Sequence, residues 1–438
     1  MPDRSKSRRA GLAGPTRPDS APTGPSRLSL EVLGSRIDLD LSHLDPVRAQ
    51  EVAAAWDGAA TQTGSPSQDG HAPASGGASP VAPVAVLVPR VESDHEVRTA
   101  ASADLQAREP LAQYVWGIST EALMERLSSA VTVAAINARE DELLMLHAAG
   151  LADEEGNVVA LVGPSGRGKT TATRHLAQRF GYLSDETVGI DPEGRVLAHR
   201  KPLSVIEPDT PHKVQRGVGE LGLRPAPPDP RIAAVVVLDR RTDGPEQATV
   251  EPVDTLDALA LLVEQASYLP STRGGLQWIA RLGDLTGGFQ RIVYREAGTL
   301  DAAVEEVLSL AAQGDPSARI RPADGGPHPT GVVAPTEPIG AEEILERAGR
   351  VRFGRARAND CVERDGEVAL LVGTRLLRVA GIGPVLWERL AQEATVEQLT
   401  AAVVEAFGEP EGADPRTLVA QALARLSQDG ALRVLTQE

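Results

Sequence analysis

The sequence predicts an α/β core flanked by a β-containing N-terminal region and a small α+β module at the C-terminus. Three observations predict it. Strand-like and helix-like runs alternate from Leu143 to Ala312, the order that builds a sheet covered by helices. A Gly-rich loop joins one of those strands directly to one of those helices. Two low-complexity or Pro/Gly-rich stretches, residues 57–80 and 314–340, interrupt the chain before and after the core. The length of 438 residues favours two or three domains, and the 42 Gly and 33 Pro point to substantial linker.

Residues 1–26 are rich in Pro, Ser, Gly and Arg and too poor in apolar side chains to offset their ordering entropy, so a disordered tail is expected. A β-containing region, 27–142, follows. Leu28, Leu30 and Val32 alternate, as do Ile37, Leu39 and Leu41, which predicts a hairpin turning at Gly34-Ser35. The low-complexity insertion 57–80 interrupts this region before a strand at Val84–Val88. Ser119 or Thr120 opens a helix with Leu123, Leu127, Ala130/Val131 and Ala134 on one face. The core, 143–313, begins with apolar strands Leu143–Ala148 and Val158–Val162. After the loop come a helix at Thr170–Phe180 and a hairpin of Thr187–Ile190 with Arg195–Ala198. The continuous apolar run Ile232–Leu238 reads as a central strand, and Leu256–Glu264 and Ala302–Ala312 as helices. Beyond the 314–340 linker, the module 341–438 offers strands Val351–Arg357, Glu367–Val372 and Arg375–Val379, then three helices. Thr395-Val396-Glu397-Gln398 is a capping box for the second helix, and Asp414-Pro415 starts the third, which Gly430 closes.

Composition excludes several classes. No apolar run approaches the roughly 20 residues of a membrane helix, and the basic start lacks the apolar segment of a secretory signal. A single cysteine, Cys361, excludes an internal disulfide framework and a Cys-rich zinc site, and is expected to be an unreactive half-buried thiol. A net charge of −17 argues against broad nucleic-acid binding. A cytoplasmic protein with no membrane partner is expected. Only four of the 44 basic residues are lysines: Lys6, Lys169, Lys201 and Lys213. A lysine inside a motif is therefore informative.

Gly163, Pro164, Ser165, Gly166, Arg167, Gly168, Lys169 and Thr170 form a complete GxxxxGK[ST] phosphate loop (Walker A), followed by Thr171 in the first helical turn. In a chain of this composition, chance supplies about 0.004 such matches. Glycines let successive N–H groups face phosphate oxygens, Lys169 reaches the β- and γ-phosphates, and Thr170 Oγ takes a Mg²⁺ position. ATP and Mg²⁺ are the expected cofactors. Asp185 and Glu186 follow the next strand, where a carboxylate would accept a hydroxyl proton or hold the metal; the competing expectation is plain strand-end punctuation. Asp239 closes the central strand as a metal-binding aspartate would, but Arg240 and Arg241 follow and offer it surface ion pairs instead. His147 lies in an apolar strand, where a histidine is ordinarily a satisfied core residue. Lys201 reads as a surface lysine, with a second phosphate contact as the alternative, and Arg273 as a weak candidate for stabilising charge.

The stretch LHAAG…NVVALVGPSGRGKTTATRHLAQRFGYLSDETVGID resembles the catalytic core of the HPr kinase/phosphorylase family, in which a histidine, a GxSGxGK loop and an acidic pair follow in this order. The matching positions are His147, Gly163–Thr170 and Asp185-Glu186. The resemblance implies phosphoryl transfer from a nucleotide to a Ser/Thr-type hydroxyl, with Asp185 as general base. Relatives are often ring-shaped oligomers, which leaves a homo-oligomer open. Residues 350–435 resemble PqqD-like domains, the winged-helix-like modules that recognise ribosomally made precursor peptides. That resemblance implies β-augmentation, with a leader peptide adding to the strand Arg375, Leu376, Leu377, Arg378 and Val379 and resting on the solvent side of Arg416–Gln428. Arg375 or Arg378 would attract an acidic leader. The two helical stripes, Val396/Leu399/Val403/Phe407 and Leu418/Val419, Ala422/Leu423 and Leu426, are expected to be core.

The expectation is an ATP-dependent, HPr-kinase-like enzyme that phosphorylates a hydroxyl on a peptide or protein recruited by the PqqD-like module, in ribosomal peptide modification. Two alternatives stay open. A non-catalytic, nucleotide-switched chaperone would present a precursor peptide to another enzyme; it is favoured by an Asp-Glu rather than Asp-Asp pair and by HRKPLSVIEPD in place of the family's downstream Glu/Arg–Gly signature. A DNA-binding regulator would use the winged-helix-like tail.

Overall fold

The computed structural model describes residues 24–61, 84–86, 113–117, 119–164, 168–206, 213–311 and 337–436. Residues 1–23 of the expected tail, most of the 57–80 and 314–340 stretches, and loop positions Ser165, Gly166 and Arg167 lie outside the described residues. The predicted hairpin forms: β1 (Arg27–Val32) pairs antiparallel with β2 (Ser35–Asp40). α1 (Pro46–Ala55) starts where Asp45 accepts from the N–H groups of Val47 and Arg48, with proline in the first turn. β3 (Val84–Val86) and β4 (Gln113–Val115) extend the sheet in parallel. α2 (Thr120–Ala138), capped by Ser119, buries Leu123, Leu127 and Val131 with the hairpin's Leu30, Ile37 and Leu39 in one core.

The expected strand Leu143–Ala148 is broken at His147. β5 (Leu144–Leu146) joins a small sheet, whereas β6 (Ala148–Ala152) enters the main one. β7 (Asn157–Val162) leads into the loop and α3 (Lys169–Leu176), which stops one turn short of the expected Phe180. β8 (Gly181–Ser184), the hairpin β9 (Val188–Ile190) and β10 (Val196–Leu197), and the antiparallel pair β11 (Leu203–Ile206) and β12 (Lys213–Arg216) follow. β13 (Arg231–Arg240), β14 (Thr249–Val253), α4 (Thr255–Val263), β15 (Ala266–Ser267), α5 (Gly275–Leu285), β16 (Phe289–Tyr294) and α6 (Leu300–Ala311) complete the core. The main sheet is mixed, in the order β14-β16-β13-β7-β6-β8, with β7, β13 and β16 parallel at its centre. Ala149, Val159, Leu161 and Val236 face α3 and α6; Ala160, Val162 and Val235 face α4 and α5. Among the described residues, no helix is long and apolar enough to cross a membrane.

The C-terminal module contains α7 (Ala341–Glu346), β17 (Val351–Arg355), β18 (Asp360–Arg364), β19 (Glu367–Val372), β20 (Arg375–Val379), α8 (Gly383–Arg389), α9 (Val396–Phe407), α10 (Pro415–Gln428) and β21 (Leu432–Thr436). The capping box at Thr395 and Gln398 is present in full. Two side-chain expectations need correction. Phe407 leaves the helical stripe and is 60% exposed, because it is the last residue of α9 and Gly408 turns the chain away. Cys361 is exposed rather than half-buried, since it points away from the buried face that Val362 occupies in β18.

The module packs onto the core. In β19, Val368 and Leu370 enter the module's own hydrophobic cluster, while Ala369 and Leu371 join the cluster of α4 and α5. The alternation of a strand thus supplies both faces. α5 has Gly274 at its N-cap and no side-chain cap of its own. Asp360, 8% exposed, supplies one from β18: Oδ2 accepts from the Leu276 and Gln277 N–H groups at 2.8 and 3.0 Å, and Oδ1 accepts from Gln277 Nε2 at 2.8 Å. Arg364 pairs with Asp284 at 2.5 Å and Arg378 with Asp257 at 2.6 Å around this contact.

His199 joins the N-terminal region to the core. It is fully buried, its Nε2 lies 3.3 Å from Thr132 Oγ1, and Nδ1 has no partner. Because the Thr132 hydroxyl already donates to Ser128 O, the geometry fits a neutral ring with its proton on Nε2. Burial, and secondarily Lys201, pushes the pKa from 6.5 to about 3.

Two predictions follow from these joints. Asp360→Ala strands three donors at a buried junction and should cost about 2–3 kcal/mol in chemical denaturation. His199 takes up a proton below pH 6.5 only when unfolded, so its contribution is complete above pH 6.5 and is lost as the pH falls toward 3. The slope is at most about 1.4 kcal/mol per pH unit, and His199→Gln should flatten it in denaturation curves measured across that range.

Candidate functional site

The central parallel strands point their C-terminal ends at one cleft of about 420 Å³. It is lined by Gly168, Lys169, Thr170 and Thr171 from the loop and α3, by His147, and by Asp185, Glu186 and Lys201. Gly168 has φ +92°, a left-handed conformation that a side chain would strain, and it starts α3 without a side-chain cap. The first-turn N–H groups are therefore left for an anion. Lys169 Nζ donates to Gly163 O at 2.8 Å and His147 O at 3.4 Å, so the lysine folds back across the loop. Burial lowers its pKa to about 8, against the opposing pull of Asp185 and Glu186. This donor set fits a polyphosphate.

The acidic pair forms the opposite wall. β8 ends at Ser184, whose Oγ accepts from the Glu186 and Thr187 N–H groups and fixes the turn. Asp185 is 5% exposed; its Oδ1 accepts from Tyr182 Oη at 3.3 Å and stands 3.1 Å from Lys201 Nζ. Glu186 Oε2 lies 3.3 Å from the same nitrogen. Burial raises the Tyr182 pKa well above its usual value, and Asp185 adds to that effect. Lys201 is a correction to the sequence expectation: it is buried, not a surface lysine, and it contacts carboxylates. Burial would lower its pKa, but Asp185 and Glu186 more than offset that and leave it raised. The break between β5 and β6 turns His147 into the cleft, where burial first, then Lys169, lowers its pKa and keeps the ring neutral.

Asp239 does not join this group. Its carboxylate accepts from Arg241 Nε and Nη2 at 2.9 and 2.6 Å, the strand-end ion pair that is the alternative expectation for it, and it is not among the cleft-lining residues. Arg273 is also absent from the cleft lining; its backbone N–H caps onto Asp141. Among the described residues, no group of three or more His, Cys, Asp or Glu could hold a metal ion. Thr170 lines the same cleft at the start of α3. Three basic cleft residues were not among the sequence candidates: Arg174, Lys213 and Arg240. Lysine scarcity was the available signal, since Lys169, Lys201 and Lys213 all line this cleft. A depression of about 500 Å³ is lined by the ion pairs Arg179–Glu305 and Arg224–Glu154.

A second groove, about 390 Å³, runs between β20 and α10. Leu377, Val379, Ile382, Leu418, Ala422 and Leu426 line it; Leu418 of the expected core stripe is exposed there, whereas Ala422 also packs on the module's core. β20 pairs only with β19 among the described residues and forms a sheet edge. Arg375 pairs with Asp429 at 3.3 Å, and Arg378 with Asp257 and Glu367. Neither arginine is held ready for an acidic peptide.

No family model and no curated protein matches the chain. Among solved structures it is similar to the HPr(Ser) kinase/phosphatase from Coxiella burnetii, at 11% identity, over 38% of this chain and 93% of that one, with a TM-score of 0.19. A TM-score of 0.19 does not establish a common fold.

A lysine with a pKa of about 8 must be charged to hold phosphate, so anion binding should take up protons near that pH. The affinity for inorganic triphosphate should fall as the pH rises through about 8, read by titration calorimetry in buffers of different ionisation enthalpy.

Proposed function

We propose that the chain is an ATP-dependent phosphotransferase acting on a hydroxyl of a peptide or protein that its C-terminal module recruits. The observation that carries this reading is the meeting of Lys169, the α3 N-terminus, Thr170 and the buried carboxylate of Asp185 in one cleft. Bound Mg-ATP would supply the phosphoryl group and a nucleoside diphosphate as leaving group. Lys169 and the first-turn amides would hold the phosphates and draw off their charge, and Thr170 would be the residue to hold the metal. Both described side-chain contacts to Asp185 are made at Oδ1, so Oδ2 takes the proton from the attacking hydroxyl. As the new O–P bond forms, the bond to the leaving phosphate oxygen breaks. His147, kept neutral, places no second positive charge against Lys169.

Recruitment is read from the second groove. An extended peptide would add to the free edge of β20 and set its apolar side chains against α10, and tethering it there would raise its concentration at the cleft. A precursor peptide of a ribosomal modification pathway fits the sequence resemblance of this module. The second reading is a nucleotide-switched peptide chaperone. It is favoured by Lys201, because an ion-paired carboxylate is a weaker proton acceptor.

Incubation of the purified chain with γ-labelled ATP and a candidate peptide separates the two readings: label on the peptide supports the kinase, and tight ATP binding without label supports the switch. Lys169→Ala should weaken ATP binding at least about tenfold by removing the principal phosphate cation. Asp185→Asn should retain ATP binding and lower transfer by about 10²–10⁴. Full transfer by Asp185→Asn, in a protein with wild-type circular dichroism, overturns the base assignment.

A further inference from the structure

Lys201 is required neither by the phosphate loop nor by a general base, yet it is the most deeply buried lysine of the cleft. Its side chain is 4% exposed and that of Asp185 3%. Nζ lies 3.1 Å from Asp185 Oδ1 and 3.3 Å from Glu186 Oε2, and donates to Pro202 O at 3.2 Å. Those three contacts use the three donors of an ammonium. The following Pro202 restricts the Lys201 backbone to extended conformations, which helps fix the direction of the side chain.

A divalent cation bridging Asp185 Oδ1 and Glu186 Oε2 would stand where Nζ stands, and one on their remaining oxygens would meet the Nζ charge across the same two carboxylates. The two cations exclude each other by repulsion. They also ask different things of the carboxylates: hydrogen-bond acceptance in one case, ligation at about 2.0–2.1 Å in near-octahedral geometry in the other. We infer that Lys201 is the resident cation of the Asp185–Glu186 pair, so that this pair does not itself bind a divalent metal. The corollary, that metal enters the cleft on phosphates and meets the chain at Thr170, rests on the kinase reading; the inference about the pair does not. Lys201 acts through the carboxylates and is a positioning residue. Removing it would leave a buried Asp185 carboxylate beside a half-buried Glu186 with no cation between them, the arrangement that attracts a metal.

The test uses the full chain without nucleotide or peptide and Mn²⁺ alone as the probe, with free Mn²⁺ read by electron paramagnetic resonance. Wild type and Glu186→Gln should bind Mn²⁺ equally weakly, within twofold. Lys201→Met should gain a site at least tenfold tighter, which Asp185→Asn in the same background removes, and Lys201→Arg should behave as wild type. The inference is overturned by a wild-type Mn²⁺ site that Glu186→Gln weakens tenfold or more, or by a folded Lys201→Met that gains none. If Lys201→Met fails to fold, the comparison of wild type with Glu186→Gln decides alone. Absence of ATP binding by the wild type would sink the kinase reading and leave this result standing.

Discussion

An ammonium buried between two carboxylates fixes the geometry of the cleft. Taking Lys201 and Asp185 out of water is costly for each alone, so each holds the other in place. That pairing ties the segment after β10 to the end of β8, and thereby sets the acidic wall opposite the phosphate loop. It also leaves Lys169 as the buried cation of the loop whose described hydrogen bonds go to backbone carbonyls. Two buried lysines a short distance apart thus divide the work. One is committed to carboxylates and the other is left for an anion. Arg174, Lys213 and Arg240 add positive charge at the rim, so a chain of net charge −17 presents a basic cleft. The overall charge and the local field have opposite signs, and a ligand responds to the local one.

The second constraint is the carboxylate of Asp360. A helix that starts at glycine has free N–H groups, and α5 receives its cap from a strand of another module. The sheet carrying that strand is apolar on both faces: Val368 and Leu370 turn to the module's helices, Ala369 and Leu371 to α4 and α5. The module is therefore packed against the core rather than merely connected to it. Arg378 belongs to the same junction, which is why a residue read as a peptide contact is found paired with Asp257.

Local patterns were legible. The phosphate loop, the capping box at Thr395, the Asp414-Pro415 helix start and the hairpin at Gly34 each depend on residues within a turn or two of one another. Apolar runs located the central strand β13 as well; its end was ambiguous, and there Asp239 is paired with Arg241. The run Glu367–Val372 carried a further signal. Continuous apolar residues in a strand indicate burial on both faces, and with only one module in view the second face had no occupant.

By itself, the sequence determined an α/β core with a Gly-rich loop between strand and helix, a downstream acidic pair and a separate strand-and-helix module, because spacing and period are properties of neighbouring residues. Tertiary structure alone decided which side chains share the cleft. His147 enters it because the strand breaks there, and Lys201 is buried because its two partners lie 16 and 15 residues earlier on another element. Whether a lysine is solvated or buried depends on what packs over it, and nothing within a few residues of Lys201 specifies that.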